Sequence, residues 1–230
     1  MKLPGLTLMA DSLYHDYGRE NILSGIYLKL GRGEITGILG RNGCGKTTLF
    51  RVLMGITQAK GGIVKVDNVY IPAGKRRQYL ALLPQVSCLP KYLKVKEVIR
   101  LFRSRRPDNR PEIAAVRNDE RIHPLLEQRC RTLSGGEKRY LELLLVLSLK
   151  KPFVLLDEPY SELEPLYVTL VNEKIRAAAS ATGFLVTDHR HHDLRRVVNS
   201  LYVMTGNTLH ESTNTDQELQ NRGYLPGHSL

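Results

Sequence analysis

Gly40-Arg-Asn-Gly-Cys-Gly-Lys-Thr47 is the stretch from which the rest of this chain is read. It fits G-x-x-x-x-G-K-[ST], a loop that cradles phosphate. Ahead of it lies Glu34-Ile-Thr-Gly-Ile-Leu-Gly40, a short apolar run that predicts a buried strand. Behind it Leu49, Val52 and Leu53 fall at helical spacing. Strand, glycine-rich turn and helix suit a single chemical purpose. Gly40, Gly43 and Gly45 let the backbone approach a phosphate and turn its N–H groups inward. The helix N-terminus adds partial positive charge. Lys46 brings a point charge for the terminal phosphates, and the Thr47 hydroxyl can ligate Mg²⁺. Arg41, Asn42, Cys44 and Thr48 belong to the same nucleotide-contacting run. Cys44, beside Lys46 and a helix N-terminus, is also a candidate reactive thiol.

Composition sets the bounds around this loop. A chain of 230 residues can form one large domain with subdomains and bury a substantial core. No apolar run is long enough to span a bilayer, and Pro4 and Gly5 break the N-terminus before a signal peptide could form. A cytoplasmic chain is expected. Cys44, Cys88 and Cys130 lie far apart and offer neither a disulfide nor a metal-ligand pattern. The net charge is +11, with arginines gathered at Arg100, Arg103, Arg105, Arg106 and Arg110. Such a cluster suits nucleic acid, an anionic membrane surface or a solvated face. Aromatic residues are scarcely interleaved with it, which argues against single-stranded nucleic acid and for a solvated or membrane-adjacent face.

Outward from the loop, residues 6–14 and 26–30 read as strands, with turns at Asp16-Tyr-Gly18 and Gly31-Arg-Gly33. Residues 63–66 and 69–71 add two more, which predicts an antiparallel sheet beside the nucleotide core. Residues 80–83 form a further apolar run, stopped at Pro84. Residues 95–102 have helical spacing, residues 107–111 are a polar break, and a long, nearly all-apolar helix is predicted over residues 135–149. Phe153-Val-Leu-Leu-Asp157 and Phe184-Leu-Val-Thr-Asp188 are compact apolar runs ending in Asp. They predict central parallel strands with ligands at their C-terminal ends. Residues 201–204 and the Thr205-Gly-Asn207 turn predict a final hairpin. From residue 212 the chain is a polar tail, and there is no internal repeat.

A phosphate loop alone leaves kinases, GTPases and many ATPases open, and the second half of the chain narrows the choice. Leu133-Ser-Gly-Gly-Glu137 opens the long apolar helix. Ser134 and Glu137 fit the S-x-x-E capping pattern, so Ser134 is expected at the N-cap. A cap does not account for Gly135 and Gly136, both unfavourable in a first helical turn. Their bare backbone makes a second anion site at a helix N-terminus. Asp157, ending its strand, can hold Mg²⁺, and Glu158 beside it can polarise a water.

In this order these residues resemble the ATP-binding cassette (ABC) ATPases, the nucleotide-binding subunits of ABC transporters. The resemblance spans residues 6–211 and implies an α/β P-loop NTPase fold. It implies a RecA-like core, an antiparallel β subdomain and an inserted helical subdomain at about residues 86–149. An ATP-binding domain over residues 1–211 and a tail over 212–230 follow. The resemblance makes Leu133-Ser-Gly-Gly-Glu137 the family signature, Gln85 a ligand of the metal or its water, His189 the switch histidine and Tyr17 the aromatic that stacks on adenine. A zinc site at His189, His191 and His192 is disfavoured, since no further Cys or His flanks them at a finger spacing. Two departures stand out. Ser161-Glu-Leu-Glu164 has Glu164 where the family has Asp, and Leu143 to Leu149 replace the family's arginine-containing stretch after the signature.

The function so implied is ATP hydrolysis by a subunit that dimerises around two ATP molecules, as a homodimer or with another ABC subunit, and drives a separate membrane permease. The catalytic group is Glu158, His189 and Lys46. The metal group is Thr47, Gln85 and Asp157, holding Mg²⁺. Ser134, Gly135 and Gly136 complete the partner's ATP site. The protein is expected in the cytoplasm, peripheral on the inner face of the membrane. The competing reading is a soluble ABC ATPase in iron–sulfur assembly or nucleic-acid repair.

Overall fold

The structure is a computed structural model and describes residues 6–213 apart from 19, 106–109, 162 and 190. Arg106 and most of the expected polar tail lie outside the described residues, as do the side chains of Arg103, Arg105 and Arg110. Two sheets organise the rest. The first is antiparallel and four-stranded, in the order β2-β1-β4-β5. It comprises β1 (Thr7–Tyr17), β2 (Glu20–Gly31), β4 (Gly61–Val66) and β5 (Val69–Tyr70). The second has six strands in the order β10-β9-β3-β8-β7-β6. Its members are β3 (Ile35–Gly40), β6 (Leu80–Leu83), β7 (Phe153–Asp157), β8 (Gly183–Thr187), β9 (Ser200–Thr205) and β10 (Thr208–Ser212). All its pairings are parallel except β9 with β10.

The parallel strands are short and apolar because both of their faces are covered. Along β7, Val154 and Leu156 pack with the helices on one side, while Phe153 and Leu155 pack with the antiparallel sheet on the other. In β8, Phe184 and Val186 take the first side and Leu185 the second. Helix α1 (Lys46–Leu53) lies between the two sheets and buries Leu49, Phe50, Val52 and Leu53 completely. Helices α2 (Val95–Arg105), α3 (Arg110–Asn118), α4 (Gly135–Leu147), α5 (Pro165–Ala179) and α6 (His191–Arg195) follow the strand order of the chain. This produces the mixed α/β arrangement expected from the sequence.

Some boundaries differ from the sequence reading. The first strand runs to Tyr17, paired with Glu20, so the turn sits later than Asp16. Register shifts between Ala10 and Asp16 and the left-handed Ser12 (φ 52°) let the strand bend and carry on. The polar break ends earlier than expected, because α3 starts at Arg110 with Pro111 in its first turn, where a missing N–H costs nothing. The long helix stops at Leu147 rather than Leu149: Lys150 adopts φ 47° and Pro152 follows. Helix α5 goes unread in the sequence, although Pro165 at its start and Val168, Val171, Asn172 and Ile175 on one buried face mark it.

Candidate ATP-binding and hydrolysis site

The parallel sheet brings the C-terminal ends of β3, β7 and β8 to one edge, and the loops leaving those ends carry the site. After β3, residues 41–45 turn into α1. Gly45 is its N-cap at φ 108°, a conformation that suits glycine alone. A Cβ there would lie 2.9 Å from the Ile22 carbonyl oxygen of β2. No side chain caps α1, and no acidic residue stands in its first turn. No side chain therefore competes for its first N–H groups or offsets its dipole. Lys46 is buried, and its Nζ donates to the carbonyls of Gly40 at 2.8 Å and Arg41 at 3.1 Å. Cys44 Sγ lies 3.9 Å from the same ammonium. Arg41, Asn42, Gly43 and Thr47 are exposed, and Thr48 is half-buried.

After β7, Asp157 is 2% exposed and accepts a hydrogen bond from Thr187 Oγ1 at 2.7 Å. Glu158 follows at φ 50°, a left-handed conformation that costs a residue with a side chain about 1–3 kcal/mol. Its N–H donates to the Thr187 carbonyl at 2.8 Å. Its carboxylate accepts from Gln85 Nε2 at 2.8 Å, and His189 Nδ1 stands 3.6 Å from the same oxygen. Three residues from three loops thus meet at one carboxylate. Asp188, fully buried, accepts from the Tyr160 N–H at 3.0 Å and fixes the turn after Glu158. Thr47, Asp157 and Gln85 offer a hydroxyl, a carboxylate and an amide oxygen, hard donors of the kind Mg²⁺ takes. The hydrogen bond to Glu158 engages the amide nitrogen of Gln85 and leaves its oxygen as the end available to a cation.

Tyr17 ends β1 and is half-exposed. Its partner Glu20 stands two positions before Ile22, the β2 residue that abuts Gly45. His15 is buried beneath it, with ring centroids 4.7 Å apart and edge to face, and shares a hydrogen bond with the Gln58 carbonyl at 3.1 Å. His15 escaped the sequence reading, as a lone His in a strand carries no signal.

The Ser134 turn stands apart from the phosphate loop. Ser134 is the N-cap of α4: its Oγ accepts from the Glu137 N–H at 3.2 Å, and Glu137 Oε2 accepts from the Ser134 N–H at 2.7 Å. Among the described residues no hydrogen bond of Ser134, Gly135 or Gly136 reaches residues 40–47. Gly136 has a structural reason that the sequence hid, since a Cβ there would sit 2.5 Å from the Tyr167 ring of α5. Gly135 is exposed. Glu164 is the N-cap of α5 but makes no side-chain capping bond, and it is exposed.

Arg139 is the principal residue the sequence reading passed over. It is buried, donating to the carbonyls of Pro84, Asp157 and Glu158. Burial pushes its guanidinium pKa below the usual value, while Glu142, Asp157 and Asp188 oppose that shift. Its neighbourhood opens on a cavity of about 450 Å³ bounded by Gln85, Ser87, Gly135, Glu142 and Ser161. A second cavity, of about 570 Å³ between α3, α4 and α5, holds none of the site residues.

A family model described as "ABC transporter" matches residues 23–161. The lipopolysaccharide export system ATP-binding protein LptB of Acidithiobacillus ferridurans is 29% identical to this chain, over 86% of each. LptB of Escherichia coli is 28% identical over 91% of this chain and 92% of its own length. An uncharacterized ABC transporter ATP-binding protein of Rhizobium meliloti is 30% identical over 86% of this chain and 77% of its own. Among solved structures, the ATP-binding subunit of an ABC transporter superposes with a TM-score of 0.81 at 21% identity. It covers 96% of this chain and 95% of its own.

Proposed function

The chain belongs to the ABC transporter ATPases, and from that premise we propose that it closes around two ATP molecules with a second ABC subunit and drives a separate permease. It binds and hydrolyses ATP, as its family does. Residues 1–211 form the ATP-binding domain in this reading, with residues 86–149 as its helical arm. Among the described residues no helix is long and apolar enough to cross a membrane, in keeping with a subunit on the cytoplasmic face that borrows its membrane path from a partner. Export of lipopolysaccharide is a property of the LptB relatives, and this chain's cargo depends on its permease.

The observation that carries the mechanism is the meeting of Gln85 and His189 at the Glu158 carboxylate. Lys46 exchanges the Gly40 and Arg41 carbonyls for the phosphate oxygens of ATP. Tyr17 stacks on the adenine. Glu158 takes a proton from a water whose oxygen bonds to the γ-phosphorus, while the bond from that phosphorus to the bridging oxygen breaks and leaves ADP. His189 donates a hydrogen bond to the transferred group. Thr47, Asp157 and Gln85 would hold Mg²⁺, which neutralises phosphate charge when bound. Ser134, Gly135 and Gly136 present their helix N-terminus to the ATP of the facing subunit.

Glu158→Gln tests this directly, keeping the shape and removing the base. Hydrolysis should fall about 10²- to 10⁴-fold while ATP still binds, and an ATP-bound dimer should accumulate on size exclusion. A Glu158→Gln chain that stays monomeric with ATP and Mg²⁺ would contradict the dimer. Recovery of the tagged wild type from detergent-solubilised membranes without any integral membrane protein would turn the reading toward a non-transport ATPase.

A further inference from the structure

Two charged side chains on α4, Arg139 and Glu142, are each more than nine-tenths buried, yet among the described residues neither hydrogen-bonds to a side chain of the reacting groups proposed above. The Arg139 fork spans two loops. One nitrogen donates to the Pro84 carbonyl at 2.5 Å, just before Gln85. The other donates to the carbonyls of Asp157 at 2.5 Å and Glu158 at 3.1 Å. Glu142 lies 3.6 Å from Arg139 and reaches the far side of the Gln85 loop, accepting from Ser87 Oγ at 2.7 Å and the Cys88 N–H at 2.8 Å. The pair therefore grips the Gln85 loop from both ends and the Glu158 turn from behind, all from the helix that Ser134 caps.

Glu158 needs such a grip. Its left-handed backbone persists only where surrounding structure fixes it. Thr187 holds its N–H and Arg139 holds its carbonyl, so the direction of the carboxylate depends on both. Burying a guanidinium is costly unless its hydrogen bonds are in place, which makes the arrangement rigid. A planar fork serves carbonyls on two sides at once, and an ammonium cannot. The fork is not fully used: Arg139 Nε and Glu142 Oε2 are buried without hydrogen-bond partners among the described residues, beside the 450 Å³ cavity.

We propose that Arg139 and Glu142 are positioning residues that set the Glu158 carboxylate against Gln85 from the helix that Ser134 caps. The proposal rests on Glu158 acting as the base. It separates positioning from binding: the clamp governs turnover and leaves ATP affinity alone.

Steady-state hydrolysis and binding of a non-hydrolysable ATP analogue are measured on the full chain for Arg139→Met, Arg139→Lys and Glu142→Gln. Arg139→Met should lower kcat about 10- to 100-fold with KM and analogue affinity within about twofold. Arg139→Lys should recover part of that loss, and Glu142→Gln should lose about three- to tenfold in kcat. In a Glu158→Gln background, single-turnover rates should fall less than about threefold on adding Arg139→Met, because the group being positioned is already gone. A wild-type kcat in Arg139→Met overturns the proposal. So does a loss that multiplies fully in the Glu158→Gln background, or a KM that rises in step with falling thermal stability. If Arg139→Met does not fold, wild-type kcat in both Arg139→Lys and Glu142→Gln overturns it. A wild-type chain without turnover would sink the ATPase reading as well, whereas turnover indifferent to Arg139 sinks the clamp alone.

Discussion

Two helices in this chain open beside glycines, and their N-termini are finished in opposite ways. Helix α1 begins at Gly45 with no side-chain cap and with Lys46 held against the loop carbonyls. Helix α4 begins at Ser134 with a reciprocal cap that satisfies the N–H groups of both Ser134 and Glu137. The first leaves its donors and dipole unspent, next to a buried cation, and is built to hold several phosphate charges. The second has its cap already made and a glutamate in its first turn, with Ser134 and Gly135 exposed. A turn so finished can lend a hydroxyl and a few N–H groups to a phosphate but cannot hold ATP by itself. The division of labour proposed between two protomers would use that asymmetry.

The largest effect should come from breaking the stronger end. Lys46→Ala removes the charge proposed to meet the phosphates, and hydrolysis should drop about 10²- to 10³-fold or more, with weaker MgATP binding. Turnover that survives Lys46→Ala would take the α1 end out of the mechanism and erase the comparison. Damage to the α4 end should look different. Ser134→Arg blocks the facing phosphate yet leaves residues 40–47 intact, so each chain should still bind ATP while the homodimer loses hydrolysis.

Mixing those two variants sharpens the contrast. In a mixed dimer of Lys46→Ala and Ser134→Arg chains, both lesions fall in one site and the other is whole. Hydrolysis that neither variant shows alone should return, at one site in each mixed dimer, if one intact site can fire. Subunit exchange is checked with two differently tagged wild-type chains. Exchange without recovery would mean that two intact sites are needed or that the ends do not share an ATP. Full activity of Ser134→Arg alone would decide for the latter and leave α4 with a plain cap.

Legibility in the sequence follows the same divide. The strand, glycine turn and helix at the α1 end were readable because a phosphate loop prescribes residue types at fixed spacing, and Asp157 and Glu158 were readable as the polar end of an apolar run. The cap at Ser134 was readable from four residues. What escaped acts at long range or through the backbone. Arg139 binds three carbonyls, and a carbonyl has no residue identity to recognise. Gly136 packs on Tyr167, a contact fixed only when α5 meets α4. The extension of β1 to Tyr17 depends on register shifts that no period-two pattern records. Core strands were plain because burial on both faces leaves little choice but Val, Leu, Ile and Phe, whereas α3, next to the polar break, offered a weak pattern.

The smallest effect separates the cap that Ser134 makes from the ATP contact proposed for it. As an N-cap it satisfies the Glu137 N–H; as half of an ATP site it must donate to a phosphate oxygen. Ser134→Ala loses both. The cap is worth about 1 kcal/mol, which in a chain of this size lowers Tm by about 2–4 °C. Ser134→Asp loses only one, because Asp caps a helix as well as Ser does and its charge suits the helix dipole. Its melting temperature should therefore stay within about 1 °C of wild type. Toward ATP the order reverses. The Ala variant still offers the backbone N–H groups of Gly135 and Gly136, so hydrolysis should fall only severalfold. The Asp variant sets a carboxylate against the γ-phosphate, and hydrolysis should fall further than in Ser134→Ala despite the better fold. Melting curves and turnover measured on the same two preparations settle the matter. Activity that simply tracks stability across wild type, Ala and Asp would reduce Ser134 to a structural cap. Opposite orders in the two measurements would mean that the capped end meets phosphate as well.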